Sequence, residues 1–140
     1  MIIGMIFGLI IGLAFYGLGC YITCRLLQKF VPSTELKECL IPFWNMYLVL
    51  RVAVTNPVPY FWYIVLPSLV LGFLGGLLDL SALRSLGSLI GAILWARAMG
   101  LIAEKLGKNF WAFAVLTVIP VGNFVGLCIL AFDDSKPLER

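Results

Sequence analysis

"LIPFWNMYLV", residues 40–49, places a proline and an asparagine, Pro42 and Asn45, inside an otherwise apolar run. The same Ile-Pro-x-x-Asn frame returns in "VIPVGNFVGL", residues 118–127, as Pro120 and Asn123. Proline has no N–H to give and its ring crowds the preceding turn, so it opens a helix interior but is tolerated in a first turn. Where each frame sits, inside a helix or at its start, therefore decides how often the chain crosses from one end of the molecule to the other.

Of the 140 residues, 62% are hydrophobic and only 12% charged. A water-soluble domain usually carries about a quarter charged residues as its polar shell. A bilayer removes that need, so the composition points to an all-α integral membrane protein forming one membrane domain over residues 1–140. The lipid bilayer is then its first partner. The net charge of +3 is spread along the loops. That pattern suits control of topology and not binding of nucleic acid, which wants a dense basic face.

A spanning helix needs about 20 apolar residues. Four runs meet this, at 1–24, 60–78, 86–103 and 110–132. Tyr60 to Tyr63 and Phe110-Trp111 open two of them as interfacial aromatic belts. Residues 41–54 fall short, because a helix over them is about 21 Å long against a hydrocarbon core of about 30 Å. They read as one short interfacial or half-inserted helix. Pro42 lies in its first turn, and Glu38, Asn45, Arg51, Thr55 and Asn56 form a polar arc. "TNPVP", residues 55–59, follows as a rigid non-helical connector.

Pro120 lies in mid-run, so it is expected to kink the fourth span and strand the carbonyl of Leu116. Thr117 and Asn123 stand near enough to satisfy the opened backbone, and Asn123 reads as a bridge to a neighbouring helix. Pro67 with Ser68 is a third helix-break candidate. The two frames also raise an internal repeat, and inverted repeats build transporter sites at the bilayer midplane.

Each span carries glycines at four-residue spacing: Gly4, Gly8 and Gly12, then Gly72 and Gly76, then Gly87 and Gly91, then Gly122 and Gly126. Such stripes let two backbones approach closely, and dispersion then does what the hydrophobic effect cannot do in lipid. They predict a tight bundle, with the first stripe as the candidate contact with another subunit or a second copy. Asp79 and Arg84 are expected to pair at a surface turn, and Arg97 to snorkel toward the interface of Lys105. With four spans, Arg25, Lys29, Lys37, Arg51, Lys105 and Lys108 share one side, and Arg84, Lys136 and Arg140 share the other. The excess marks the first side as cytoplasmic, which puts both termini outside. Met1 also runs straight into apolar sequence ahead of Arg25, the charge order of an anchor inserted N-terminus first and not of a signal peptide.

For catalysis the chain is poor. It has no His, so an ordinary general base near neutral pH is missing. Ser68, Ser81, Ser85 and Ser88 lack a basic neighbour to activate them, and Asp133-Asp134 sits where charges mark the end of a span. Cys20 and Cys24, one helical turn apart, lack further ligands at metal spacing. No catalytic residue, metal or cofactor is expected.

Three stretches, "LIPFWNMYLVLRVA" at 40–53, "IAEKLGKNFWAFAVL" at 102–116 and "CILAFDDSKP" at 128–137, resemble an uncharacterised bacterial multi-pass membrane family. Its members carry IP-[IY]-N-x-Y, then L-A-K-x-F-G-K, then L-A-F-G-D-x-K. The chain departs from that pattern with Glu104-Lys105-Leu106 in the middle motif and Asp133 in place of the closing glycine. Similar domains occur fused ahead of type I signal peptidases. The resemblance implies a membrane-embedded accessory module of the bacterial inner membrane, and it carries over no catalytic residue. The expected function is therefore a small accessory or structural subunit packing against a larger membrane complex. The alternative is a small, self-associating transporter or channel with a polar site at Pro42, Asn45, Arg51, Arg97, Pro120 and Asn123.

Overall fold

The computed structural model describes residues 2–138, so the expected start of the first span at Met1, and the basic Arg140, lie outside the described residues. Among the described residues the chain is all helix and turn, in the order α1 Ile2–Gln28, α2 Leu36–Cys39, α3 Pro42–Ala53, α4 Pro57–Leu77, α5 Ser81–Lys105, α6 Phe110–Val118 and α7 Pro120–Phe132. Three stretches are long and apolar enough to cross a membrane: Gly4–Gln28, Pro57–Leu77 and Ser81–Lys105. The connector expected at residues 55–59 is shorter. Pro57 and Pro59 both fall in the first turn of α4, where the missing N–H groups have no partner to lose.

The α4–α5 pair is an antiparallel hairpin built on close backbone approach. A Cβ on Gly87 would lie 2.8 Å from the Pro67 carbonyl oxygen, and one on Gly91 would lie 2.9 Å from Ser68 Oγ. Pro67 does not break α4, which runs on past it. Ser68 Oγ stands 3.0 Å from the Gly87 carbonyl, so the proline turn is clamped against α5. The second-span stripe is displaced from expectation: Gly75 meets the backbone of Leu80 and Arg84, whereas Gly76 would meet only the Arg84 guanidinium, at 3.5 Å, and Gly72 meets nothing within 4 Å. One residue of offset turns a helical position by about 100°, which is enough to change faces. Asp79 and Arg84 are both exposed, and no ion pair joins them among the described residues.

The fourth expected span folds back on itself. α6 ends and α7 begins at one residue, Ile119, whose backbone is extended (φ −88°, ψ 123°). The two helices then pack side by side: a Cβ on Gly126 would lie 3.2 Å from Leu116 Cδ2 and 3.6 Å from Phe113 Cδ1. In a continuous helix Phe113 and Gly126 would stand about 20 Å apart. At the open end Asp133 pairs with Lys108, the residue just before the α6 cap. The run is thus a helical hairpin with both ends at one end of the molecule. Pro120 is N1 of a new helix and not a kink in an old one.

We call that end, which holds Gln28, Lys105 and Asp133, the basal end. α5 closes there with Gly107 at φ +72°; Gly107 N–H donates to Glu104 O and Lys108 N–H to Ala103 O, at 2.9 and 2.8 Å. Only a residue tolerant of positive φ makes this cap, and it turns the chain back into α6. The first Ile-Pro frame is a second turning point. From α1 the chain doubles back, so that the Tyr16 hydroxyl donates to Leu40 O at 2.7 Å. Ile41 is extended (φ −84°, ψ 115°), Pro42 is N1 of α3, and α3 returns until Lys105 Nζ donates to Val52 O at 2.5 Å. Upstream of each frame a long helix, of 27 residues for α1 and 25 for α5, runs to the basal end, and after the short α2 or α6 each frame opens a helix of 12 or 13 residues.

The side chains that are fully buried, among them Leu26, Leu27, Leu50, Met99, Ile102 and Leu130, all lie toward the basal end, where these returning segments meet α1 and α5. The other half of α1 is bare: every residue from Gly4 to Tyr16 is exposed.

Because residues 110–132 return, the C-terminal segment shares the side of the first loop, against the expectation from four spans. Topology reporters fused after Lys29 and after Leu138 are expected on the same side, and one inserted at Asp79 on the opposite side. A reporter after Leu138 that shares the side of Asp79 would overturn the hairpin.

Candidate functional site: a crevice between two turning points

Both frames use the same local chemistry. The isoleucine carbonyl accepts the first-turn hydrogen bond from the asparagine N–H, Asn45 to Ile41 and Asn123 to Ile119, each at 2.7 Å. This satisfies the turning point without water, as a low-dielectric setting demands. The Leu116 carbonyl is not stranded either, since Ile119 N–H donates to it at 3.3 Å, and Thr117 Oγ1 donates to Phe113 O at 2.7 Å.

The two returning helices meet the long ones around a crevice of about 330 Å³. Thr23 of α1, Asn45 and Val49 of α3, Ile64 of α4, Trp95 of α5 and Leu127 of α7 line it. Thr23 Oγ1 donates to Gly19 O within its own helix, so its hydroxyl is already engaged. Asn45 Nδ2 stands 3.8 Å from Cys20 Sγ, a weak acceptor, so its amide remains available to the crevice. Asn123 is one turn nearer the tip than Leu127 and lies on the same face of α7.

The Oδ1 of Asn123 is buried without a hydrogen-bond partner. The expected bridge to a neighbouring helix is therefore absent. α7 lies against its own α6, where Gly122 and Gly126 bring Leu116 and Phe113 close and present no donor. Arg51 is apart from the asparagines, exposed in a shallow cleft with Glu38 and Thr34. Arg97 is also apart, exposed on the outer side of α5 beside α6. So Pro42 and Asn45 line the crevice, Pro120 and Asn123 form the neighbouring tip, and the two arginines serve other surfaces.

Cys20, Cys24 and Cys39 are buried together in the core, and among the described residues no His, Cys, Asp or Glu cluster is placed to hold a metal. Sequence reasoning missed Thr23 and Trp95, because nothing in an apolar helix marks which face meets a crevice. It also missed the ion pairs that tie the segments together at the basal end. Lys29 Nζ donates to Asp133 Oδ1 at 2.8 Å and to Asp133 O at 2.6 Å, and Lys108 pairs with the second carboxylate oxygen. These partners lie 104 positions apart in the chain for Lys29, so only folding reveals them. Burial raises the pKa of Asp133, but the ammonium groups of Lys108 and Lys29 and the Ser135 hydroxyl outweigh it and hold the carboxyl well below the usual range.

Three helices long and apolar enough to cross a membrane, with one segment between α1 and α4 and another after α5 that each enter and leave at one end, define an all-helical membrane protein among the described residues. Comparison with protein-family models, curated proteins and solved structures finds no match to this chain.

Two outcomes follow for stability, both read from unfolding in detergent. Asn123→Leu removes a buried group with no partner, so we expect unchanged stability or a gain of about 1 kcal/mol. A loss of that size would show that Asn123 does bridge. For Asp133, the folded pKa lies below the unfolded value of about 3.9. Its contribution is therefore complete above about pH 5 and is lost as pH falls through the folded value. Asp133→Asn should lower stability at pH 7 by about 1–2 kcal/mol and flatten the acid limb. An acid limb identical in the two proteins would assign it to other groups.

Proposed function

We propose that the protein is a small membrane-embedded accessory or structural subunit that packs against a larger membrane protein complex through the outer half of α1. The fate of its glycine stripes supports this reading best. Gly87 and Gly91 are taken up by α4, and Gly122 and Gly126 by α6. Gly4, Gly8 and Gly12 meet nothing within 4 Å, on a helix whose residues from Gly4 to Tyr16 are all exposed. A flat stripe gains most from another helix, because backbones approach there more closely than lipid tails pack. The resemblance implies an accessory module of this kind, and with it a bacterial inner membrane as the proposed location.

Charge supports an orientation. Asp79 and Arg84 cancel at the far end, whereas among the described residues the basal end carries seven cations (Arg25, Lys29, Lys37, Arg51, Lys105, Lys108 and Lys136) against five carboxylates (Glu35, Glu38, Glu104, Asp133 and Asp134), a surplus of +2 without Arg97. Basic excess stays in the cytoplasm, which would set the basal end inside and the start of α1 outside. A second reading, a small transporter or channel, is favoured by the crevice that Pro42 and Asn45 line and by the unpartnered oxygen of Asn123.

Purification from native membranes in mild detergent tests the first reading. We expect a stoichiometric membrane partner with the wild type, lost in Gly8→Leu at unchanged unfolding midpoint. Gly87→Leu, placed in the α4–α5 contact, should instead lower stability by about 1–3 kcal/mol. A wild type that purifies alone sinks the accessory reading, and ligand-dependent stability in that lone protein would favour the transporter.

A further inference from the structure

Arg97 stands within the apolar part of α5, exposed, and no carboxylate pairs with it among the described residues. Glu104, two turns nearer the basal end, faces a different cleft with Phe30 and Leu138. Asp133 is occupied by Lys29 and Lys108. A guanidinium at this depth is costly unless an anion or water reaches it.

Beside Arg97 runs a groove of about 500 Å³ between α5 and α6. Its floor is Ala96 and Ala114, both buried, and its walls are Ile93, Val115 and Val118. The small floor residues leave the space open, while nearer the basal end Phe110 packs onto Gly100 and closes it. Trp111, 74% exposed, stands at the mouth, where an indole suits the headgroup level. α6 carries the groove about 12 Å inward from that belt.

We propose that this groove binds one anionic phospholipid of the basal leaflet, its acyl chain along the alanine floor and its phosphate on Arg97. The guanidinium offers a planar fork that matches two phosphate oxygens. The groove is otherwise apolar and bears no other charged side chain, as an acyl chain requires. Selection for a net negative head follows from the basal surplus of positive charge, which disfavours the added cation of a zwitterionic head.

The test is native mass spectrometry of the purified protein with equal amounts of dioleoyl phosphatidylglycerol and dioleoyl phosphatidylcholine. The wild type should retain one phosphatidylglycerol, about fivefold in preference to phosphatidylcholine. Arg97→Gln should lose that preference, Arg97→Lys should keep part of it, and Ala114→Trp should block the groove with Arg97 intact. Arg84→Gln, at the far end, should bind as the wild type does. Arg97→Gln is an exposed change, and circular dichroism checks that it folds, so it carries the test even if Ala114→Trp does not fold. Equal retention of the two lipids, or wild-type retention by Arg97→Gln or by a folded Ala114→Trp, overturns the proposal. Displacement of the lipid by inorganic phosphate would assign Arg97 to a soluble anion and overturn it too.

Discussion

A backbone that turns inside an apolar medium must satisfy its own polar groups, and the two Ile-Pro-x-x-Asn frames do this at two of the places where the chain reverses. At each, proline removes a donor that the first turn never needed, the extended isoleucine reverses the chain, and the asparagine N–H closes onto the isoleucine carbonyl. Without that closure, Ile41 and Ile119 would leave carbonyls unpaired where water is scarce, a cost of about 1–3 kcal/mol each. The positions of α3 and α7, and hence the crevice and the buried core, follow from these reversals.

A reversal also needs its ends held. Glycines let α7 lie on α6 at contact distance, and Asp133 joins the end of α7 to Lys108 before α6 and to Lys29 after α1. One carboxylate thereby ties three segments at the basal end. The opposite half has no such tie: α4 and α5 hold each other through Gly87 and Gly91, while α1 stands alone. The molecule is packed as a protein core at one end and left to lipid or to a partner at the other. This asymmetry is why the proposed subunit contact is placed on α1, and not on the glycine pairs already spent within the chain.

The two frames also occupy equivalent places. Each lies between a long helix running toward the basal end and a short helix running back to it, with closely matched lengths. Both segments enter from the same end, so the arrangement is parallel and does not place inverted helix ends across a midplane as in inverted-repeat transporters. The polar side chains of the crevice are the Asn45 amide, the Thr23 hydroxyl and the Trp95 indole, with no charge among its lining residues. Charge is kept instead on outward surfaces, with Arg51 in one cleft and Arg97 in another.

Composition and hydropathy alone establish an all-helical membrane protein, because the apolar content leaves too little polar surface for water whatever the fold. The sequence likewise determined the start of α3 at Pro42, since residues 41–54 are too short to cross, and it located α4 and α5 by length. It misread residues 110–132, because a hydropathy run measures apolar length and is blind to direction: a spanning helix and a hairpin of two short helices have the same composition. Pro120 was visible, but a proline permits both a kink and a new helix. What chose between them were contacts distant in sequence, Asp133 with Lys29 and Lys108, and Gly126 with Phe113 and Leu116. For the same reason only the tertiary structure decided which glycines are used within the chain and which stay open, since a stripe of small residues shows that a neighbour can approach, not where one is.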